Sequence, residues 1–128
     1  FRSDLRVADN DALWHARRNA NDGVVAGFTI CPEQWHEHDW GPMKADFVRR
    51  CLIELQQSLH DLHIPLQIVV TPRFGEIPEE LLKLAKQYDI GELHMGREYE
   101  VNERKRDQKV ADVFEDAGVR VHRHTNKV

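Results

Sequence analysis

The chain has 128 residues, 41% of them apolar, which suffices for the core of one domain without disulfides or metals. Eighteen basic side chains stand against twenty-two acidic ones, a net charge of −4 with histidines neutral, so the totals advertise no basic face of the kind that holds nucleic acid by charge. Cys31 and Cys51 have no C-x-x-C partner and read as buried reduced thiols of a cytoplasmic protein, no apolar stretch approaches the ~20 residues of a membrane helix, and Phe1-Arg2-Ser3-Asp4 lacks the form of an export signal.

At the front, Asp9-Asn10-Asp11 precedes Ala12, Leu13 and Trp14, so Asp9 or Asn10 is placed to cap the free N–H groups of a first helix. Val24 to Cys31 reads VVAGFTIC, an apolar, β-branched run that predicts an interior strand of a parallel sheet, covered on both faces. The segment from Pro32 to Pro42, with Trp35, His36, His38 and Trp40, fits neither the helix nor the strand period and reads as a loop at a strand end.

Between Met43 and Leu62, the residues Phe47, Val48, Cys51, Leu52, Leu55, Leu59 and Leu62 recur at steps of three and four, which predicts an amphipathic helix. Pro65 ends it and opens a second strand, Leu66 to Val70, followed by a turn through Pro72 and Gly75. Ile77, Leu81, Leu82, Leu84, Ala85 and Tyr88 mark another helix with Pro78 in its first turn, and Gly91 leads into a short strand, Leu93 to Met95. The last helix runs from Val101 to Ala117 with Val110, Val113, Phe114 and Ala117 on one face, Gly118 takes a left-handed cap, and Val119 to His122 forms an edge strand. Strand and helix alternate over short connections, so the fold class is α/β, a Rossmann-like open parallel sheet with helices on both faces, in a single domain spanning residues 1–128.

Neither G-x-G-x-x-G nor a P-loop is present, because Gly91 to Gly96 is followed by Arg97-Glu98 rather than Lys and a hydroxyl residue. The loop Trp35-His36-Glu37-His38-Asp39-Trp40 holds two imidazoles and two carboxylates but lacks an assigned third ligand, and it reads as an exposed polar loop; His122 and His124 read as solvated residues on an edge strand, so no metal site is assigned. Arg97 to Asp107 follows the strand Leu93 to Met95, at the carboxyl end where open parallel sheets place ligands. There Asn102 offers an amide donor and an acceptor, and Glu103 can take two N–H donors from a planar heterocycle; the same pattern also fits a solvated helix N-terminus with i,i+4 pairs such as Glu100 with Arg104.

The opening FRSDLRVADNDAL resembles that of DNA photolyases and cryptochromes, in which an aromatic-Arg pair ends the first strand before a DLR-x-x-DN loop. REYEVNERKRD, Arg97 to Asp107, resembles the matching segment of bacterial folate-type cyclobutane pyrimidine dimer photolyases, and CPEQW, Cys31 to Trp35, sits at the expected strand end. The resemblance implies the N-terminal antenna domain, whose five-stranded sheet carries 5,10-methenyltetrahydrofolate or a deazaflavin and passes excitation to FAD in a separate C-terminal helical domain. It carries over Asn102 and Glu103 as pterin contacts, with Trp35 and Tyr99 as further cofactor-binding candidates that could stack on the ring. No catalytic residue is expected in this chain: photorepair by the lyase, and contact with damaged DNA, belong to the full-length protein, the C-terminal FAD-binding domain being this chain's own partner.

The resemblance also places the family's first, central strand ahead of Phe1, so the chain as it stands is expected to form two half-sheets with unpaired backbone groups, each costing on the order of 1 to 3 kcal/mol if buried. Upstream residues, a strand from another chain, or a trimmed and marginal fragment are the three ways to resolve that gap. A cryptochrome photoreceptor and a free-standing nucleotide-binding or stress-type module remain as alternative functions; a receiver or flavodoxin-like domain ranks below both.

Overall fold

The computed structural model describes residues 1, 5–20, 22–32, 41–98 and 101–125. Its elements follow the sequence rhythm: α1 (Asp11–Asn19), β1 (Ala26–Ile30), α2 (Pro42–Asp61), β2 (Leu66–Val70), a single 3-10 turn at Phe74–Glu76, α3 (Ile77–Gln87), β3 (Glu92–Gly96), α4 (Val101–Asp116) and β4 (Arg120–His124). No described helix is long and apolar enough to cross a membrane.

β1 pairs with β2 in parallel, Ala26 opposite Leu66 through Ile30 opposite Val70, and β3 pairs with β4 in parallel, Glu92 opposite Arg120 through Gly96 opposite His124. Among the described residues these are two separate two-stranded sheets, the expected half-sheets of a Rossmann-like α/β fold. β1, read from sequence as an interior strand, therefore has a strand on one side only among the described residues. On its other edge the amino group of Phe1 donates to the Gly27 carbonyl at 2.8 Å, where a neighbouring strand's N–H would sit.

Each half-sheet has its own core. Leu13 of α1, Ala26 of β1, Leu55 and Leu59 of α2 and Ile64 form the first, with Val24, Leu62 and Leu66 packed around them. Ala85 of α3, Val110 and Phe114 of α4 and Val119 form the second, with Leu93, Met95 and Val121 from the strands. A fully buried side chain such as Leu59 or Phe114 contributes about 1.5–3 kcal/mol by leaving water. α1 belongs to both halves: Leu13 enters the first core while the His15 ring stacks on His124 of β4 at 4.5 Å.

The three helices that lead into β2, β3 and β4 end in the same way. After α2, Ile64 N donates to Leu59 O and His63 N to His60 O; after α3, Ile90 N donates to Ala85 O and Asp89 N to Lys86 O; after α4, Val119 N donates to Phe114 O and Gly118 N to Glu115 O. The residue before the apolar one is left-handed in each case, His63 at φ +60°, Asp89 at +53° and Gly118 at +84°. Each Schellman turn thus closes the last carbonyls and delivers Ile64, Ile90 or Val119 to a core just before the next strand begins.

Several details depart from the sequence reading. Phe47, assigned to the buried stripe of α2, is 66% exposed, because α2 packs along Val48, Leu55 and Leu59. Ala117 and Tyr88, assigned to core faces, lie beyond their helices and are exposed. The last strand starts and ends later than expected, running to His124, which brings both of its histidines into the sheet. Cys31 is buried as expected, whereas Cys51 is only half-buried; both are free thiols.

Candidate functional site

The carboxyl ends of β3 and β4 open onto a shallow cleft of about 620 Å³ lined by Arg97, Glu98, Val101, Arg104, Lys105, Asp107, Gln108 and Arg123. Four of those side chains are basic and two acidic, so the rim is locally positive although the chain is acidic overall. Val101, Arg104, Lys105 and Gln108 share one face of α4 by the three-and-four spacing of a helix, and Arg123 reaches across from β4 to give Gln108 Oε1 a hydrogen bond at 3.2 Å.

Asn102 and Glu103 occupy the first turn of the same helix but not the cleft face. Glu103 falls on the stripe of Asp107, Val110 and Phe114, at steps of four, three and four, which packs toward the sheet and meets the cleft only at Asp107, and it is half-buried; Asn102 is exposed. The two therefore sit on different sides of one turn, over the strand ends, next to the basic cleft. The other two candidates, Trp35 and Tyr99, lie outside the described residues, as do the loop histidines His36 and His38 and the Glu100 of the expected ion pair.

Lower on the same two strands lies a group of side chains that sequence reading left unassigned. The two-residue period of β3 and β4 puts Leu93, Met95 and Val121 into the second core and turns Glu92, His94, Arg120, His122 and His124 to the opposite face, where α1 adds His15. The rings of His94 and His122 stack with centroids 4.6 Å apart, and His94 Nδ1 lies 3.0 Å from His124 Nε2. His94 Nε2 is 3.2 Å from Glu92 Oε2, and Glu92 Oε1 meets Arg120 Nη2 at 2.9 Å and His122 Nε2 at 3.8 Å. Burial holds His94 below the usual imidazole range, against the opposing pull of Glu92; burial, and then the other rings, do the same to His124. Glu92 is held below the usual carboxylate range, first by the hydrogen bond from His94. Far from being simply solvated, His122 and His124 belong to a four-histidine array.

The fold is of the open α/β class, with parallel strands and a cleft at their carboxyl ends. The DNA photolyase family profile matches residues 1–128, and the chain belongs to that family, as its N-terminal domain. It is 38% identical over 119 residues to the deoxyribodipyrimidine photo-lyase of Vibrio cholerae, covering 93% of this chain and 25% of that protein. It is 38% identical over 110 residues to the Salmonella typhimurium protein of the same name, covering 86% and 23%. The cryptochrome DASH of Natronomonas pharaonis is 31% identical over 124 residues, covering 93% of this chain and 25% of that protein. The chain thus spans about a quarter of the length of these relatives.

Proposed function

We propose that this chain is the antenna-binding domain of a deoxyribodipyrimidine photo-lyase, and that it holds 5,10-methenyltetrahydrofolate at the carboxyl ends of β3 and β4. The observation that carries the reading is the coincidence of place: Val101-Asn102-Glu103-Arg104, the described part of the segment resembling the folate-type enzymes, opens α4 at those strand ends, beside the basic cleft. The donor set fits the group. Glu103, half-buried on the sheet side, can accept the two N–H donors of a pterin edge, Asn102 offers an amide on the exposed side of the same turn, and Arg97, Arg104, Lys105 and Arg123 offer countercharge to the glutamyl carboxylates of a folate.

In this reading the folate supplies light absorption, and the chain supplies binding, orientation and a fixed distance to a flavin held elsewhere in the protein. The carbon–carbon lyase step is then electron donation from reduced FAD to a cyclobutane pyrimidine dimer, ring splitting, and return of the electron. It requires the C-terminal FAD-binding domain as partner and reaches damaged DNA only through the full-length protein. The full-length protein, photoreduced and mixed with dimer-containing DNA, is expected to split the dimers under blue light and not in darkness.

A photoreceptor reading is favoured by one observation, the 31% identity to a cryptochrome DASH. A flavin-loaded full-length protein that leaves dimers intact under blue light would transfer the assignment to that reading.

A further inference from the structure

We propose that Glu92, His94 and His122 form a binding site for zinc on the face of β3 and β4 that turns away from the second core, with His124 as the positioning residue that orients His94. The oxygen of Glu92 and one ring nitrogen from each histidine all lie within 4.8 Å of one another. Tetrahedral zinc with bonds of about 2.0–2.2 Å needs ligand atoms about 3.3 Å apart. Glu92 Oε2 lies 3.2 Å from His94 Nε2 and the other carboxylate oxygen, Oε1, 3.8 Å from His122 Nε2, and with one oxygen as ligand no pair of ligand atoms is more than 4.8 Å apart, so each has to close by at most about 1.5 Å.

A second observation points to a ligand. Among the described residues, His122 Nε2 is one of few side-chain polar atoms shielded from solvent without a hydrogen-bond partner, although the side chain as a whole is 40% exposed. A shielded ring nitrogen left unpaired is unfavourable, and a metal ion among Nε2, His94 and Glu92 would satisfy it.

The neighbours complete the arrangement. When His94 carries its proton on Nδ1 it can donate to His124 Nε2 at 3.0 Å, which leaves its Nε2 lone pair directed at Glu92 and free to ligate. That tautomer sets a lone pair against a carboxylate at 3.2 Å, an arrangement a cation between them makes favourable. Two imidazoles and a carboxylate suit zinc, whereas magnesium and calcium select oxygen ligands. Three protein ligands leave the fourth position of a tetrahedral zinc to water. Arg120, 77% exposed and bound to Glu92 Oε1 at 2.9 Å, is the competitor a metal ion must displace.

The test is calorimetric titration of zinc chloride into the full-length protein after EDTA treatment. One equivalent is expected to bind at this site; Glu92→Gln and His122→Asn each weaken its binding at least tenfold, and Arg120→Ala tightens it several-fold by releasing the carboxylate. The double variant His36→Asn/His38→Asn keeps the affinity within threefold. Circular dichroism without zinc separates folded variants from unfolded ones, and the gain with Arg120→Ala cannot come from unfolding. Absence of saturable zinc uptake, uptake indifferent to both Glu92→Gln and His122→Asn, or uptake abolished by the His36/His38 pair would overturn the proposal. None of these outcomes bears on folate binding at the strand ends.

Discussion

Asn10 is expected to be worth more than an ordinary helix cap. It is 4% exposed and works in two directions: its Oδ1 accepts from Leu13 N at 3.1 Å, and its Nδ2 donates to Arg6 O at 3.0 Å, tying the loop ahead of α1 to the helix itself. Asn10→Ala removes a cap worth about 1 kcal/mol and strands the Arg6 carbonyl, a further 1 kcal/mol or so. A loss of about 2 kcal/mol raises the equilibrium population of opened α1 roughly 30-fold. Hydrogen exchange at the amides of Leu13 and Trp14, the latter bonded to Asn10 O at 3.0 Å, reads this directly. Asn10→Asp keeps the acceptor and loses the donor, so it is expected to fall between wild type and Asn10→Ala. Exchange in Asn10→Ala within threefold of wild type would show that Asn10 does not hold α1 closed.

Two further perturbations follow from the buried polar groups. Thr71 is fully buried with no hydrogen-bond partner for its hydroxyl, while its backbone N–H is held by Ile30 O at 2.9 Å; Thr71→Val keeps the shape and is expected to be neutral or to stabilise the fold by up to about 1 kcal/mol in denaturant titration. The histidine array sets a pH dependence in metal-free protein. His94 and His124, facing His15, His122, Glu92, Asp11 and Arg120, have folded-state values below the ordinary 6.5. The unfolded chain therefore binds more protons, so the stability is full above pH 6.5, falls as the pH drops through the folded values, and levels off beneath them. Melting midpoints between pH 8 and 5 in EDTA check this, and His124→Gln is expected to flatten the slope; an unchanged slope in that variant would contradict it.

The α/β rhythm was legible because the apolar periods of α2, α3 and β2 are clean and Pro65, Pro78 and Gly118 punctuate them. Two helix ends were harder to read, since His63 and Asp89 take the left-handed turn that sequence reasoning reserves for glycine. Only geometry separates Asp9 from Asn10 as the cap: Asp9 lies at φ +50° while Asn10 is extended with its side chain aimed at Leu13. The histidine array was missed for a different reason. The alternation in ELHMG and RVHRH was visible and sorts Leu93, Met95 and Val121 from Glu92, His94, His122 and His124. Setting His94 opposite His122 needs the register of two strands, and His15 arrives from α1, more than seventy residues away in sequence. At the strand ends the position of Asn102 and Glu103 at the start of α4 was legible, but not that neither lines the cleft and only Glu103 turns toward the sheet, because the direction of the sheet from α4 depends on tertiary packing.

The antenna assignment is tested most directly by titrating the full-length protein with 5,10-methenyltetrahydrofolate while following absorption and fluorescence, with Glu103→Ala alongside. Loss of a charged acceptor costs about 1.5–3 kcal/mol, so the account predicts saturable spectral change in the wild type and an affinity weakened by about tenfold to more than a hundredfold in the variant. A folded wild-type protein that shows no saturable change, or a Glu103→Ala variant that binds as tightly as the wild type, would contradict it.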